Sequence, residues 1–204
     1  MPDWDEGSPI LRKNLAQVTQ EINRTAKRRE TPTLQGARRW HAMIMRGLEV
    51  PAPEYVGAFR GGPGVENIGV EIGGRRGVVS TEVVGELRRF ESTLQALVAN
   101  LDSVVPVGHE LNADELAAVL DVCAWAHAEW VRIHPFVNGN GRTARIWANS
   151  LAKRYGLPGF VRLRPRPDEG YAQAGIKAMQ GDWKPTAVLF DACLMISWNS
   201  RRLQ

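Results

Sequence analysis

His134-Pro135-Phe136-Val137-Asn138-Gly139-Asn140-Gly141-Arg142-Thr143-Ala144-Arg145 gathers, in one short stretch, the residue types from which active sites are built. The sequence on either side of it is helical. Before it, Leu116, Val119, Leu120, Cys123, His127, Trp130 and Val131 recur at the spacing of a helix with one buried face. After it, a second helical run carrying Ile146 and Tyr155 stops at Gly156, with Pro158 close behind. The stretch is therefore the turn of a helix-loop-helix. Gly139-Asn140-Gly141 falls where the second helix begins, so backbone N–H groups without intrahelical partners point out of the loop, backed by the positive end of the helix dipole. That arrangement cradles an anion, and phosphate suits it. Glycine serves there either for close approach or for positive φ. Arg142 and Arg145, three residues apart, can share a helix face and suit two phosphate groups of one polyphosphate. His134 precedes the cradle and can take up a proton near neutral pH.

Read as a pattern, the stretch resembles the signature of the Fic (Fido) family, His-Pro-Phe-x-acid-Gly-Asn-Gly-Arg-x-x-Arg, and agrees with it at every fixed position but one. Asn138 stands where the family usually has Asp or Glu. The resemblance implies an all-α, Fic-type helical bundle with a small β-hairpin flap over the active site. It also implies transfer of AMP from ATP to a Ser, Thr or Tyr hydroxyl of a target protein. In that reading His134 is the general base, Gly139, Asn140 and Gly141 receive the phosphates, Arg142 takes the β-phosphate and Arg145 the outermost one. The family's acid holds Mg²⁺; Asn138 offers a carbonyl oxygen without charge, whereas Mg²⁺ prefers carboxylates, phosphate and water. Three readings stay open. The same transfer proceeds with weaker metal binding, another phosphate-containing moiety is transferred, or the module binds nucleotide or a partner without turnover. Many family members also carry an inhibitory Ser/Thr-x-x-x-Glu-Gly/Asn helix whose Glu pairs with the second motif arginine, here Arg145. No Glu of this chain has Ser or Thr four residues earlier. This points to a separate antitoxin-like inhibitor, or to no need for one.

Upstream, Ile68, Val70 and Ile72 alternate with Gly69 and Glu71, then come Gly73-Gly74-Arg75-Arg76 and Val78-Val79. The pattern predicts two short strands around a glycine turn. A lone hairpin is marginal, so it must pack on the helices or have a use. The resemblance implies the flap, which holds a target segment by adding a strand to its edge. The proline- and glycine-rich segment from 51 to 67 reads as loop.

The remaining periodicity is helical. Ser8-Pro9 opens a first helix with Leu11, Leu15, Val18 and Ile22, running toward Glu30 and broken by Thr31-Pro32-Thr33. A second starts near Leu34 with Ala37, Trp40, Ile44 and Leu48; His41 on it reads as a surface or packing histidine, having no second ligand at helical spacing. A third spans Val83 to Leu101 with Val84, Leu87, Phe90, Leu94, Leu97 and Val98 inward. Asn112 and Glu115 have the spacing of a capping box for the helix entering the motif. His127 on that helix reads as packing, or as orienting the loop, in preference to metal binding. Phe160 to Arg164 alternates like a short extended segment, Asp168 begins a helix through Tyr171, Ala174 and Ile176, and Val188, Leu189, Ala192, Cys193 and Ile196 mark the last one.

At 204 residues and 44% hydrophobic, the chain can bury a core of its own. We divide it into an N-terminal helix and linker, 1–34, and a Fic-like domain, 35–204, whose core helix-loop-helix covers 112–156. Cys123 and Cys193 on apolar helical faces read as reduced core thiols. No apolar run long enough for a membrane span occurs and no basic-then-apolar leader opens the sequence, which predicts a cytoplasmic protein without membrane contact. The net charge of +4 comes with scattered arginine pairs lacking interleaved aromatics, which argues against a nucleic-acid groove. His109-Glu110 is followed by Ala113 where a zinc protease needs His, excluding that class.

Overall fold

The computed structural model describes residues 8–72, 74–167 and 170–202. Helices α1 (Pro9–Lys27), α2 (Leu34–Met45), α3 (Ser80–Val104), α4 (Ala113–Ile133), α5 (Asn140–Arg154), α6 (Tyr171–Ala178) and α7 (Lys184–Arg202) carry the fold. A single 3-10 turn, Pro53–Tyr55, and two strands, β1 (Glu71–Ile72) and β2 (Arg75–Arg76), complete the described elements. The fold is all-α, as the periodicity and the resemblance imply.

Helix α4 is the axis. The Asn112 side chain accepts from the Glu115 N–H at 3.0 Å while the Glu115 carboxylate takes the Asn112 N–H at 2.9 Å, the predicted capping box. Beyond that start, Val119, Val122, Ala124, Ala126, Ala128 and Ile133 are all buried, so the helix is apolar on nearly every side rather than on one stripe. This follows from its position, with α3, α5, α6 and α7 packed around it. Helix α1 lies against α5 and α2 and contributes Leu11, Val18 and Ile22 to the same core. Asn14 donates to the carbonyls of Ile44 at 2.9 Å and Arg46 at 2.7 Å, giving partners to oxygens that the end of α2 leaves without any. Under the motif loop, Trp130 meets Phe136, Trp147 and Phe90 with ring centroids 5.4–5.9 Å apart. This aromatic floor fixes the depth of the loop.

Several expectations are corrected. The hairpin pairs Glu71 with Arg76 and Ile72 with Arg75, so Arg75 and Arg76 belong to the second strand and not to the turn. Ile68, Gly69 and Val70 precede the strands, Val78 and Val79 follow them, and Val79 caps α3. The physical reason is that the carbonyls of Ile68 and Val78 accept from the Arg60 side chain, which replaces cross-strand pairing at the base of the hairpin. Gly73 lies outside the described residues. Helix α3 is longer than expected, and Val83 turns inward while Val84 is exposed. Leu48 is buried beyond the end of α2, after a left-handed Gly47. The segment from Phe160 to Arg164 forms no strand, because Asn149 takes both the N–H and the carbonyl of Val161 at 3.0 and 2.7 Å. The expected helix start at Asp168 lies outside the described residues, and α6 is capped by Gly170. On α7, Phe190 and Leu194 face inward, whereas Val188 and Ile196 are exposed. Cys123 is buried and Cys193 half-buried, and both thiols are free. No helix among the described residues is long and apolar enough to cross a membrane.

Asp102, near the end of α3, ties three elements together. It accepts from Arg154 Nε at 3.1 Å and Nη2 at 2.5 Å and from the Tyr155 hydroxyl at 3.1 Å, and Arg29 stands 3.5 Å away. Burial works against its charged form, but the hydrogen bonds and charge of Arg154, the Tyr155 hydroxyl and the Arg29 charge together outweigh that and hold its pKa below the usual carboxylate range. Because the folded pKa is depressed, this stabilisation is present above the unfolded pKa and is lost as pH falls through the folded one. Asp102→Asn is expected to cost about 1–3 kcal/mol at neutral pH. Urea unfolding of both proteins should show the gap closing in acid, and a gap of equal size at all pH values would contradict the assignment.

Candidate active site

His134 is the residue at which α4 ends. Its N–H still reaches the Trp130 carbonyl at 3.0 Å, but its backbone is left-handed, with φ 52° and ψ 57°. Glycine usually takes this position, and a side chain there costs on the order of 1 kcal/mol. The ring is tethered. Nδ1 lies 3.2 Å from the Val131 carbonyl, which can only accept, so Nδ1 carries the proton and Nε2 keeps its lone pair. Burial pushes the pKa down to about 4, the Val131 bond opposes this, and the charge of Arg60 adds to it. The imidazole is therefore neutral at neutral pH and able to accept a proton.

Arg60 is fully buried behind it. Nε donates to the His134 carbonyl at 2.8 Å, Nη1 to Ile68 at 3.0 Å, and Nη2 to Val78 at 2.8 Å and Ile133 at 3.1 Å. Its backbone N–H meets the Pro135 carbonyl at 2.7 Å. Burial lowers its pKa to about 10, so it stays a cation at neutral pH.

The loop after Pro135 is held from inside. Asn140 accepts from the Phe136 N–H at 2.8 Å and donates to the Phe136 carbonyl at 2.7 Å, so its side chain braces the loop and only its backbone can serve an anion. Gly139 is left-handed with φ 78°, and a Cβ there would stand 2.7 Å from the Met45 Cε. Its role is to fit the loop against α2. On that helix, His41 corrects the surface alternative: it is fully buried, stacked on Phe136 at 3.9 Å. Its Nδ1 accepts from the Gly57 N–H at 2.9 Å, which leaves Nε2–H to donate to the Asn138 carbonyl at 3.0 Å.

The expected anion bed is partly closed. Helix α5 starts at Asn140, so the N–H groups of its first turn have no acceptor within the helix. The arginines, however, are buried and turned to protein partners. Arg142 Nη2 donates to Asn138 Oδ1 at 3.2 Å. Arg145 donates to the Tyr171 hydroxyl at 3.1 Å and the Leu163 carbonyl at 3.0 Å. Gly141 leaves room beside that guanidinium, since a Cβ would lie 3.4 Å from Arg145 Nη1. Tyr171 in turn stands 2.8 Å from His127 Nε2. His127 thus orients a residue of α6 rather than the loop.

The protein groups around the expected Mg²⁺ position offer no charge to a metal at Asn138 itself. Asn138 Oδ1 faces a guanidinium, and no group of three or more acids, histidines or cysteines is placed to hold a metal among the described residues. The flap residues fall into two sets. Gly77 N–H bonds Val70 at 3.0 Å, continuing the ladder, and a Cβ on Gly77 would lie 3.4 Å from His134 Cβ, so the hairpin base leans on the histidine. Gly69, Glu71 and Val79 are exposed, and with the Gln180 amide oxygen turned toward it, Arg75 donates to α6's following turn at 2.9 and 3.1 Å. Sequence reasoning missed Arg60, Tyr171 and the depth of His41. The only signal was the place of His41 beside Trp40 on an apolar helix.

The buried histidines make the fold sensitive to acid. Burial lowers His41 from 6.5 to about 4, the hydrogen bond to Asn138 opposing it, and lowers His127 to about 3 with Arg145 adding to the effect. Groups buried neutral stabilise fully above the unfolded value and lose that contribution as pH falls toward the folded one. The melting temperature should therefore fall between roughly pH 7 and pH 5. A level profile over that range would contradict neutral burial of both rings.

Residues 31–152 match the model of the Fic/DOC family. A segment of 79 residues is 35% identical to Protein adenylyltransferase Fic of Drosophila virilis, covering 38% of this chain and 16% of that protein. The chain thus spans a small part of that curated relative. The fold is similar to a Fic domain containing signaling protein from Bacteroides thetaiotaomicron, with a TM-score of 0.63 at 22% identity over 92% of this chain and 69% of that one. It is also similar to the BepC protein of Bartonella tribocorum, solved with bound AMPPNP, with a TM-score of 0.58 at 20% identity over 90% and 85% of the two chains. With more than half of its length matched by the family model, the chain belongs to the Fic/DOC family.

Proposed function

We propose that the protein is an adenylyltransferase that moves AMP from ATP to a Ser, Thr or Tyr hydroxyl of a target protein. The observation that carries this reading is the His134 ring, neutral and tautomerically defined, beside the first turn of α5. Nε2 takes the hydroxyl proton, the oxygen bonds to the α-phosphorus, and the bond to the bridging oxygen breaks to release pyrophosphate. The N–H groups at the start of α5 receive negative charge as it grows. Arg142 and Arg145 bind the outer phosphates, and their hydrogen bonds to the neutral acceptors Asn138, the Tyr171 hydroxyl and Leu163 are exchanged for charged ones. Charge-assisted bonds are roughly twice as strong as neutral ones, which drives the exchange. The relatives named adenylyltransferase and the nucleotide analogue in the BepC structure support the choice of ATP.

Asn138 is the point of difference from the family pattern. With no charge to offer Mg²⁺ it would hold the metal more weakly than a carboxylate and slow the reaction, and a slow enzyme needs less inhibition. An antitoxin-like partner remains the source of control if the chain is toxic when expressed alone, and relief by a small companion protein tests that.

With α-labelled ATP and a cell lysate, His134→Ala should bring labelling to background, a loss on the order of a hundredfold or more. Asn138→Asp should raise labelling and lower the Mg²⁺ concentration that it needs. Equal background labelling by all three forms would instead favour a nucleotide-binding module without turnover.

A further inference from the structure

Arg60 has no counterpart in the motif, yet one side chain binds residues from both ends of the flap and from the end of the helix that carries the base. Its four acceptors are the carbonyls of Ile68, Val78, Ile133 and His134, separated from it by 8, 18, 73 and 74 positions. Among the described residues no carboxylate pairs with it, so a cation is buried against neutral oxygens and the negative end of α4 alone. Apolar packing could hold a fold together without that desolvation cost. What apolar packing cannot do is set three segments at fixed angles through one rigid plane. A lysine ammonium is a point charge on a flexible stem, whereas the guanidinium fork has its donors in a fixed geometry.

We propose that Arg60 is a positioning residue for the transfer reaction, holding the base His134 and the flap in a single frame so that a hydroxyl lying on the flap is aligned with Nε2. This rests on the adenylyltransferase reading. The His134 backbone is the one in need of support, being left-handed, and the bond from Arg60 Nε to its carbonyl acts directly on that conformation. On the other side, Gly77 has no room for a side chain: a Cβ would stand 2.7 Å from Val70 Cγ2, 3.4 Å from His134 Cβ and 3.5 Å from Arg60 Nη2. Flap, base and guanidinium are therefore in mutual contact. Displacing one moves the other two.

The test uses the full chain and its Arg60→Lys variant, which keeps the charge. Hydrogen exchange should show segments 68–79 and 131–136 losing protection together, with α3 and α5 unchanged. In turnover, kcat should fall on the order of tenfold to a hundredfold and the KM for target should rise, while the affinity for ATP measured by calorimetry stays within about twofold. Loss of protection confined to the flap, or a raised KM with unchanged kcat, would overturn the proposal. Should Arg60→Lys fail to fold, Gly77→Ala perturbs the same contact from the surface, and it too must lower kcat as well as raise KM. If the wild-type chain transfers no AMP, the functional reading fails by itself, and joint or separate loss of exchange protection still decides whether Arg60 couples the two segments.

Discussion

A buried guanidinium surrounded by carbonyl oxygens is the constraint on which the site depends. Arg60 sits where three backbone segments arrive with unpaired acceptors: the C-terminal turn of α4, and the two strands' approaches at the hairpin base. Left without a partner, each of those carbonyls would carry a penalty, up to about 1–3 kcal/mol for the fully buried one of Ile133 and less for the half-buried ones. A single side chain removes all four penalties, and the helix dipole of α4 offsets part of the cost of burying its charge. The result is that the hairpin, too short to be stable alone, is an extension of the helical core. Its strands need only two residues each because the base is closed by a side chain.

The same logic governs the loop that follows. Left-handed backbone at His134 and Gly139 lets the chain reverse between α4 and α5 in a few residues. Such a turn exposes peptide groups that regular structure would pair, and other groups take their place: the side chains of Asn140 on Phe136, His41 on Asn138 and Arg60 on His134, and the Arg60 backbone N–H on Pro135. The aromatic floor of Trp130, Trp147 and Phe90 sets Phe136 at its depth. Rigidity at the site is thus a product of polar satisfaction above and ring packing below.

What was legible in the sequence divides along the same line. Periodicity revealed the helices, because burial of one face repeats every three or four residues, and the capping box at Asn112 is a local pattern with a local cause. The motif announced the site, since histidine, glycines and arginines stood together in the chain. The partners that hold it did not. Arg60 acts on residues more than seventy positions away and His41 on one 97 positions away, through bonds from side chain to backbone that leave no spacing to detect. The hairpin was found but misjudged, because alternation of Ile68, Val70 and Ile72 looks like pairing whether the carbonyl partner is a strand or a guanidinium. Asn149 misled in the same way by standing in for a strand beside Val161.

On the proposed reading, Arg142 and Arg145 belong to a binding site that is folded before its ligand arrives. Arg142 and Arg145 are buried, and among the described residues their hydrogen-bond acceptors include neutral ones: an amide oxygen, a hydroxyl, a carbonyl. A phosphate oxygen would gain more from either guanidinium than these acceptors do, since charge-assisted bonds are about twice as strong as neutral ones. Asn138 is read differently in this light. Besides lacking the charge to hold a metal, it keeps Arg142 in place by a bond that a phosphate oxygen can outcompete. Tyr171 does the same for Arg145, and His127, held neutral by burial, fixes the direction of the Tyr171 hydroxyl without adding charge of its own. Neutral acceptors on buried guanidinium groups would, on the proposed reading, leave the site ordered before a phosphate arrives.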